Sequence, residues 1–184
     1  MMLLWFPQPR REPTMRLRYS GMPSDEAAAY RAGLPDANGQ VPERRISDGD
    51  GVPCRHCLGN VEEGEPYLVL AYRPFPAPQP YAEIGPIFIH AKACEAYADE
   101  RLPSRERNGS GRILRGYGND DRIVYGTGIV VRNADIEANA QAILARPSVA
   151  YVHMRSAANN CFTLRIDRAV PTGEKYPPNN ASSG

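Results

Sequence analysis

The strongest constraint on this fold lies in two short stretches, "VPCRHCLGN" at residues 52–60 and "FIHAKAC" at residues 88–94. Cys54 and Cys57 form a C-x2-C pair, and after 32 intervening residues His90 and Cys94 form H-x3-C. Three thiolates and an imidazole make a full tetrahedral set for a structural zinc ion. Two cysteines separated by two residues in a tight turn can aim both sulfurs at one point, and "GN" behind Cys57 supplies turn residues. Placed at the start of a helix, His90 and Cys94 would share a face.

Other readings of the same residues stay open. A redox pair needs a helix behind its first cysteine, whereas "LGNVEEGEP" after Cys57 is turn-like. The cysteines can also be plain buried side chains, since free Cys is among the most buried residue types. A catalytic zinc requires that one of the four stay off the metal. His56, inside the knuckle, is expected to point away as a surface histidine rather than a ligand.

The rest of the composition excludes more than it assigns. At 184 residues the chain suits one domain with a core of its own. A net charge of +1 gives no global electrostatic case for nucleic acid or a membrane surface. All but Lys92 and Lys175 of the 22 basic residues are arginine, which lowers the weight of any single arginine as an anion ligand. No apolar run approaches a bilayer's span. "MMLLWF" lacks a basic n-region and is broken by Pro7 and Pro9, so it does not read as a signal peptide. The expected compartment is the cytoplasm, where clustered cysteines hold metal or do chemistry rather than form disulfides.

Residues 1–14 read as a loose arm or a mis-called start, 15–170 as one α+β domain, and 171–184 as a disordered tail. Within the domain, "MRLRY" (15–19), "YLVLAYR" (67–73), "IFI" (87–89), "VAYVHMR" (149–155) and "CFTLRIDRA" (161–169) read as strands. "DRIVYGTGIVVR" (121–132) reads as one strand or two, interrupted at Gly126 and Gly128. Helices are predicted from about Asp25 to Ala32 with Ser24 as N-cap, over "AKACEAYADERL", and over "ADIEANAQAILARP", where Ile136, Ala140, Ile143 and Leu144 share a face. Residues 34–51 and the five-proline stretch 74–86 are expected to be loops. The five arginines of 101–115 are expected in a mobile segment, with nucleic-acid contact a minor reading.

A second candidate site follows from treating Ser156–Asn160 as a hairpin loop. Met154 then faces Phe162 and Val152 faces Leu164 on the core side. Tyr151, His153 and Arg155 lie opposite Arg165, Thr163 and Cys161 on the other. That face could hold a small anion, or a Cys161–His153 pair with Arg155 holding an oxyanion. The plain alternative is a half-exposed sheet face with arginines in solvent and Cys161 inert.

Two resemblances complete the reading. The ligand spacing and element order of residues 54–97 resemble a treble-clef zinc finger, apart from the proline-rich insert and the H-x3-C spacing. "PCRHCL", "LVLAYRPFP", "GPIFIHAKAC", "DRIVYGTG" and "VAYVHMRSAANNCFTLRIDRA" resemble the bacterial Domain of Unknown Function 1203 family over roughly residues 15–170. That resemblance implies a small single-domain bacterial protein and carries no activity. The expectation is therefore one α+β domain, its sheet mixed or antiparallel, with a zinc-knuckle subdomain at Cys54, Cys57, His90 and Cys94. Its expected role is to bind an unknown protein partner or a small anionic ligand. The alternative is an enzyme acting on a small anionic substrate at His153, Arg155 and Cys161.

Overall fold

The structure, a computed structural model, describes residues 15–109 and 111–169. The expected N-terminal arm and C-terminal tail lie outside the described residues. Two antiparallel sheets form the fold. The first runs β5(Ala98–Asp99)-β1(Leu17–Ser20)-β9(Phe162–Arg168)-β8(Tyr151–Ser156)-β6(Arg112–Tyr117)-β7(Ile129–Val131). The second is β2(Glu43–Ile46)-β3(Pro66–Tyr72)-β4(Gly85–His90). All named strand pairs are antiparallel, which resolves the α+β expectation toward an antiparallel sheet.

The helices α1(Ser24–Arg31) and α2(Ile136–Leu144) fall where start and stop signals placed the first and periodicity the second. Ile136, Ala140, Ile143 and Leu144 of α2 cover one face of the larger sheet, against Leu114, Val152, Met154, Leu164 and Ile166. Burial of that apolar stripe is what makes nine residues worth folding as a helix, since isolated helices this short are marginal. The opposite face meets the smaller sheet, with Tyr72 edge-on to Phe162 at 5.6 Å. It also meets the proline-rich stretch, whose Phe75 packs on Tyr117 at 5.3 Å. Strand β8 is therefore buried on both faces from Tyr151 to Arg155, not half-exposed.

Four expectations need correction. Ser24 opens α1 but makes no side-chain cap; its hydroxyl lies 3.0 Å from His56 Nε2 instead. Residues 43–46 of the expected loop pair with β3 as an exposed edge strand, whose fully solvated pattern carries no alternation to read. Residues 112–117 are an interior strand, and Arg101, Arg105, Arg112 and Arg115 each pair with a carboxylate.

The fourth correction concerns the segment after His90, which is not helical. Ala91 N–H donates to Pro66 C=O and Tyr97 N–H to His56 C=O, at 3.0 Å each. Ala98 and Asp99 then join β1. Tertiary partners claim the backbone groups a helix would need, and that overrides the alanine-rich propensity. The knuckle and hairpin of the treble-clef resemblance are present, while its closing helix is not. Among the described residues, no helix is long and apolar enough to cross a membrane.

Candidate metal centre and the buried cationic face

Cys54 opens a tight turn in which Leu58 N–H donates to Cys54 C=O at 3.0 Å and Cys54 N–H donates to Gly59 C=O at 2.9 Å. Leu58 takes φ +56°, the left-handed conformation such a knuckle requires. The knuckle lies beside β4 through a bridge from Cys54 to Phe88, and Arg55 N–H donates to Phe88 C=O at 2.8 Å. That brings the sulfurs to His90, the last residue of β4, and the following loop delivers Cys94.

One ligand atom from each of Cys54, Cys57, His90 and Cys94 falls within 4.8 Å of the others. Cys54 Sγ and Cys94 Sγ are 3.9 Å apart, and Cys57 Sγ lies 3.5 Å from His90 Nδ1. Ligands bonded at about 2.3 Å in a tetrahedron stand about 3.8 Å apart, so these edges already match a bound ion. The group suits a metal ion by donor type, number and spacing.

The surroundings reinforce it. His90 N–H donates to Cys54 Sγ at 3.4 Å, and Arg31 Nη2 donates to Cys94 Sγ at 3.2 Å. Arg31 Nε also donates to His90 C=O at 3.0 Å, so the last turn of α1 holds both His90 and Cys94. Glu65 Oε2 stands 4.0 Å from His90 Nε2, the nitrogen facing away from the cluster, as carboxylates commonly do behind metal-bound imidazoles.

His56 corrects the expectation of a surface side chain. It is buried, with Nδ1 3.1 Å from Cys94 Sγ and Nε2 against Ser24. It stays outside the ligand set but is wedged beside it. Burial and the Arg31 guanidinium lower its proton affinity.

The three thiols divide their protons unequally. The Cys57 thiol, donating to Cys54, holds Cys54 down at about 4, with help from backbone N–H groups of Cys57, His90 and His56 and against burial. Cys57 is pushed up by that same hydrogen bond and by burial. Cys94 is raised by burial and then by the Cys54 charge. A thiolate held among thiols is a centre of negative charge, and a divalent cation would release the remaining protons.

The second candidate group is brought together only in part. Met154 faces Leu164, Val152 faces Ile166 and His153 faces Arg165, but Arg155 faces Phe162. The turn is one residue tighter than expected, with Ser156 N–H donating to Cys161 C=O at 3.0 Å, and a bulge then leaves Thr163 unpaired. Two single-residue shifts sum to two, so the core residues keep their face. Between turn and bulge the parity is inverted. Phe162, not Cys161, joins His153, with ring centroids 5.0 Å apart. Cys161 sits half-buried at the loop, its thiol 3.5 Å from Asn159 C=O. Burial depresses the nearby Arg55 guanidinium to about 10, with the Glu106 carboxylate opposing it.

His153 is enclosed by Phe75, Tyr117, Tyr151 and Phe162, with centroids 4.8–5.1 Å away. Full burial, with Arg165, Arg155 and Arg115 nearby, drives its pKa well below 6.5 and keeps the ring neutral. Arg155 is 2 % exposed, its Nε held by the Asn160 carbonyl oxygen and by Asn160 Oδ1 at 3.0 Å each. Its counter-ion is Glu83, from the proline-rich stretch. No spacing in the sequence pointed to Glu83, Glu65 or Arg31, because each reaches its site through tertiary approach. A groove of about 410 Å³ lies along β3 near Val41, Glu43 and Ile84, away from both groups.

Residues 51–168 match the family model described as protein of unknown function (DUF1203). No curated protein matches the chain, and no solved structure matches it.

Proposed function

The chain belongs to the DUF1203 family of proteins of unknown function, and from that premise we propose that it is a zinc-stabilised binding module rather than an enzyme. The observation that carries this reading is the convergence of Cys54, Cys57, His90 and Cys94. Three thiolates with one imidazole are soft donors in the composition that structural zinc takes. Four protein ligands close the tetrahedron and leave no position for a substrate. The ion's work is then to hold the knuckle to β4 and to the segment leading into β5. Apparent binding free energies at such sites are about 10–16 kcal/mol.

Binding then falls to the rest of the surface, toward a protein partner or a small anion. Catalysis at His153, Arg155 and Cys161 has weaker support, because the hairpin bulge turns the thiol away from the imidazole. Native mass spectrometry of protein purified without added metal tests the zinc assignment. One zinc per chain is the expected mass increment. A metal-free mass, or stoichiometric iron or copper in its place, sinks it.

A further inference from the structure

Residues 74–84 cross the second face of the larger sheet as a strap. It lacks strand pairing, and its backbone hydrogen bonds are local turns, Ala82 N–H to Gln79 C=O and Glu83 N–H to Tyr81 C=O. Side chains hold it down: Phe75 against Tyr117 and His153, Gln79 Nε2 donating to Asp121 C=O at 2.9 Å, and Glu83. Such a strap can lift without breaking a ladder.

Glu83 brings one carboxylate to a group of donors. Arg115 Nη1 lies 2.5 Å from Oε1, Arg155 Nη1 lies 2.9 Å from Oε2, and Tyr117 OH donates to Oε2 at 3.4 Å. Two guanidinium groups therefore share one carboxylate. The sharing is incomplete. Arg155 Nη1 is close to Glu83 but makes no aligned hydrogen bond, and His153 Nδ1, buried alongside, has no partner among the described residues. An ion pair kept only for stability satisfies its buried donors. This one is over-supplied with donors and filled by a group on a segment that lies outside the sheet ladders.

We propose that Arg115, Arg155 and Tyr117, backed by His153, form a carboxylate-binding site that Glu83 occupies while the strap is down. A ligand carboxylate, from a small organic acid or an acidic peptide, exchanges for Glu83 as the strap lifts. The exchange replaces one carboxylate with another, so the buried charge is conserved. The ligand's apparent affinity is reduced by competition from the tethered side chain. The proposal rests on the binding-module reading and names its ligand class, but it does not depend on the metal.

The test is an NMR titration of the full-length, metal-loaded wild-type chain with sodium acetate, with sodium chloride at matched ionic strength as control. Saturable shifts of the Arg115 and Arg155 Nε–H signals and of the His153 ring are expected. Faster hydrogen exchange across residues 74–84 should accompany them. Glu83→Ala should bind acetate about tenfold more tightly or better, its competitor removed, and Glu83→Ala with Arg155→Ala should not bind. A wild-type chain that responds to acetate no more than to chloride overturns the proposal whatever the variants do, and leaves Glu83 a fixed ion pair. Saturation by phosphate but not acetate overturns the carboxylate assignment. Metal content measured on the same sample separates these failures from failure of the zinc reading.

Discussion

His153 is an imidazole kept from its proton. Burial comes first among the causes and the three nearby guanidinium groups follow. The unfolded chain takes up a proton on this ring below pH 6.5, its ordinary value, while the folded chain does not. The contribution is therefore fully present above that value. It is lost as pH falls below it, at up to about 1.4 kcal/mol per pH unit. Substituting His153→Phe, which fits the aromatic surroundings, should flatten that part of the slope. Near neutrality it should change stability by no more than about 1 kcal/mol, because Nδ1 has no bond to lose. Denaturant melts of both chains across pH 5 to 8 read the difference, and equal slopes would refute a neutral buried ring. At the metal group, Arg31→Ala removes a donor to Cys94 and a donor to the His90 carbonyl. Loss of such support should weaken zinc binding about 10–100-fold, measured by competition with a chromophoric chelator. The convergence of Cys54, Cys57, His90 and Cys94 was legible because spacing along the chain limits which donors can meet. Arg31, Glu65 and His56 were not, since their positions follow from how α1 and the hairpin dock.

Element boundaries show where local pattern stops deciding. Helix α2 was legible because its apolar residues recur on one face and Pro147 ends the pattern. Residues 91–102 also read as a helix, yet their backbone bonds go to Pro66, His56 and β1. The β8–β9 hairpin was legible as a hairpin, but not in register, because Thr163 carries no sign that it bulges. The junction between the knuckle and the larger sheet depends on Gly21, whose neighbours leave no room. A Cβ there would stand 2.5 Å from His56 O and 2.6 Å from Arg55 O. Backbone cannot yield as a flexible side chain does, so Gly21→Ala should destabilise by about 1–3 kcal/mol. Zinc affinity should fall with it, because His56 and Arg55 lie inside the knuckle. A variant with unchanged melting temperature and metal affinity would show that the junction is looser than described.

At the scale of the whole molecule, the metal group stands where the two sheets meet. Met22 N–H donates to Arg55 C=O at 2.6 Å and Gly21 N–H to Tyr97 C=O at 3.1 Å, tying β1 to the knuckle and to the segment that follows Cys94. The core against α2 draws most of its residues from β1, β6, β8 and β9, and only Leu58 from the knuckle. Chelation should therefore raise hydrogen exchange first in residues 52–60 and 90–97, with the strands under α2 protected longest. Uniform loss of protection would mean that the ion supports the entire fold rather than one junction. The most direct measurement of the central claim uses the cysteines themselves. Three of the four converge, while Cys161 stands apart at the hairpin loop. Alkylation of the native protein followed by peptide mass spectrometry should modify Cys161 and spare Cys54, Cys57 and Cys94, and chelator should render all three reactive. Alkylation of those three at the same rate with and without chelator would contradict a metal held by this group.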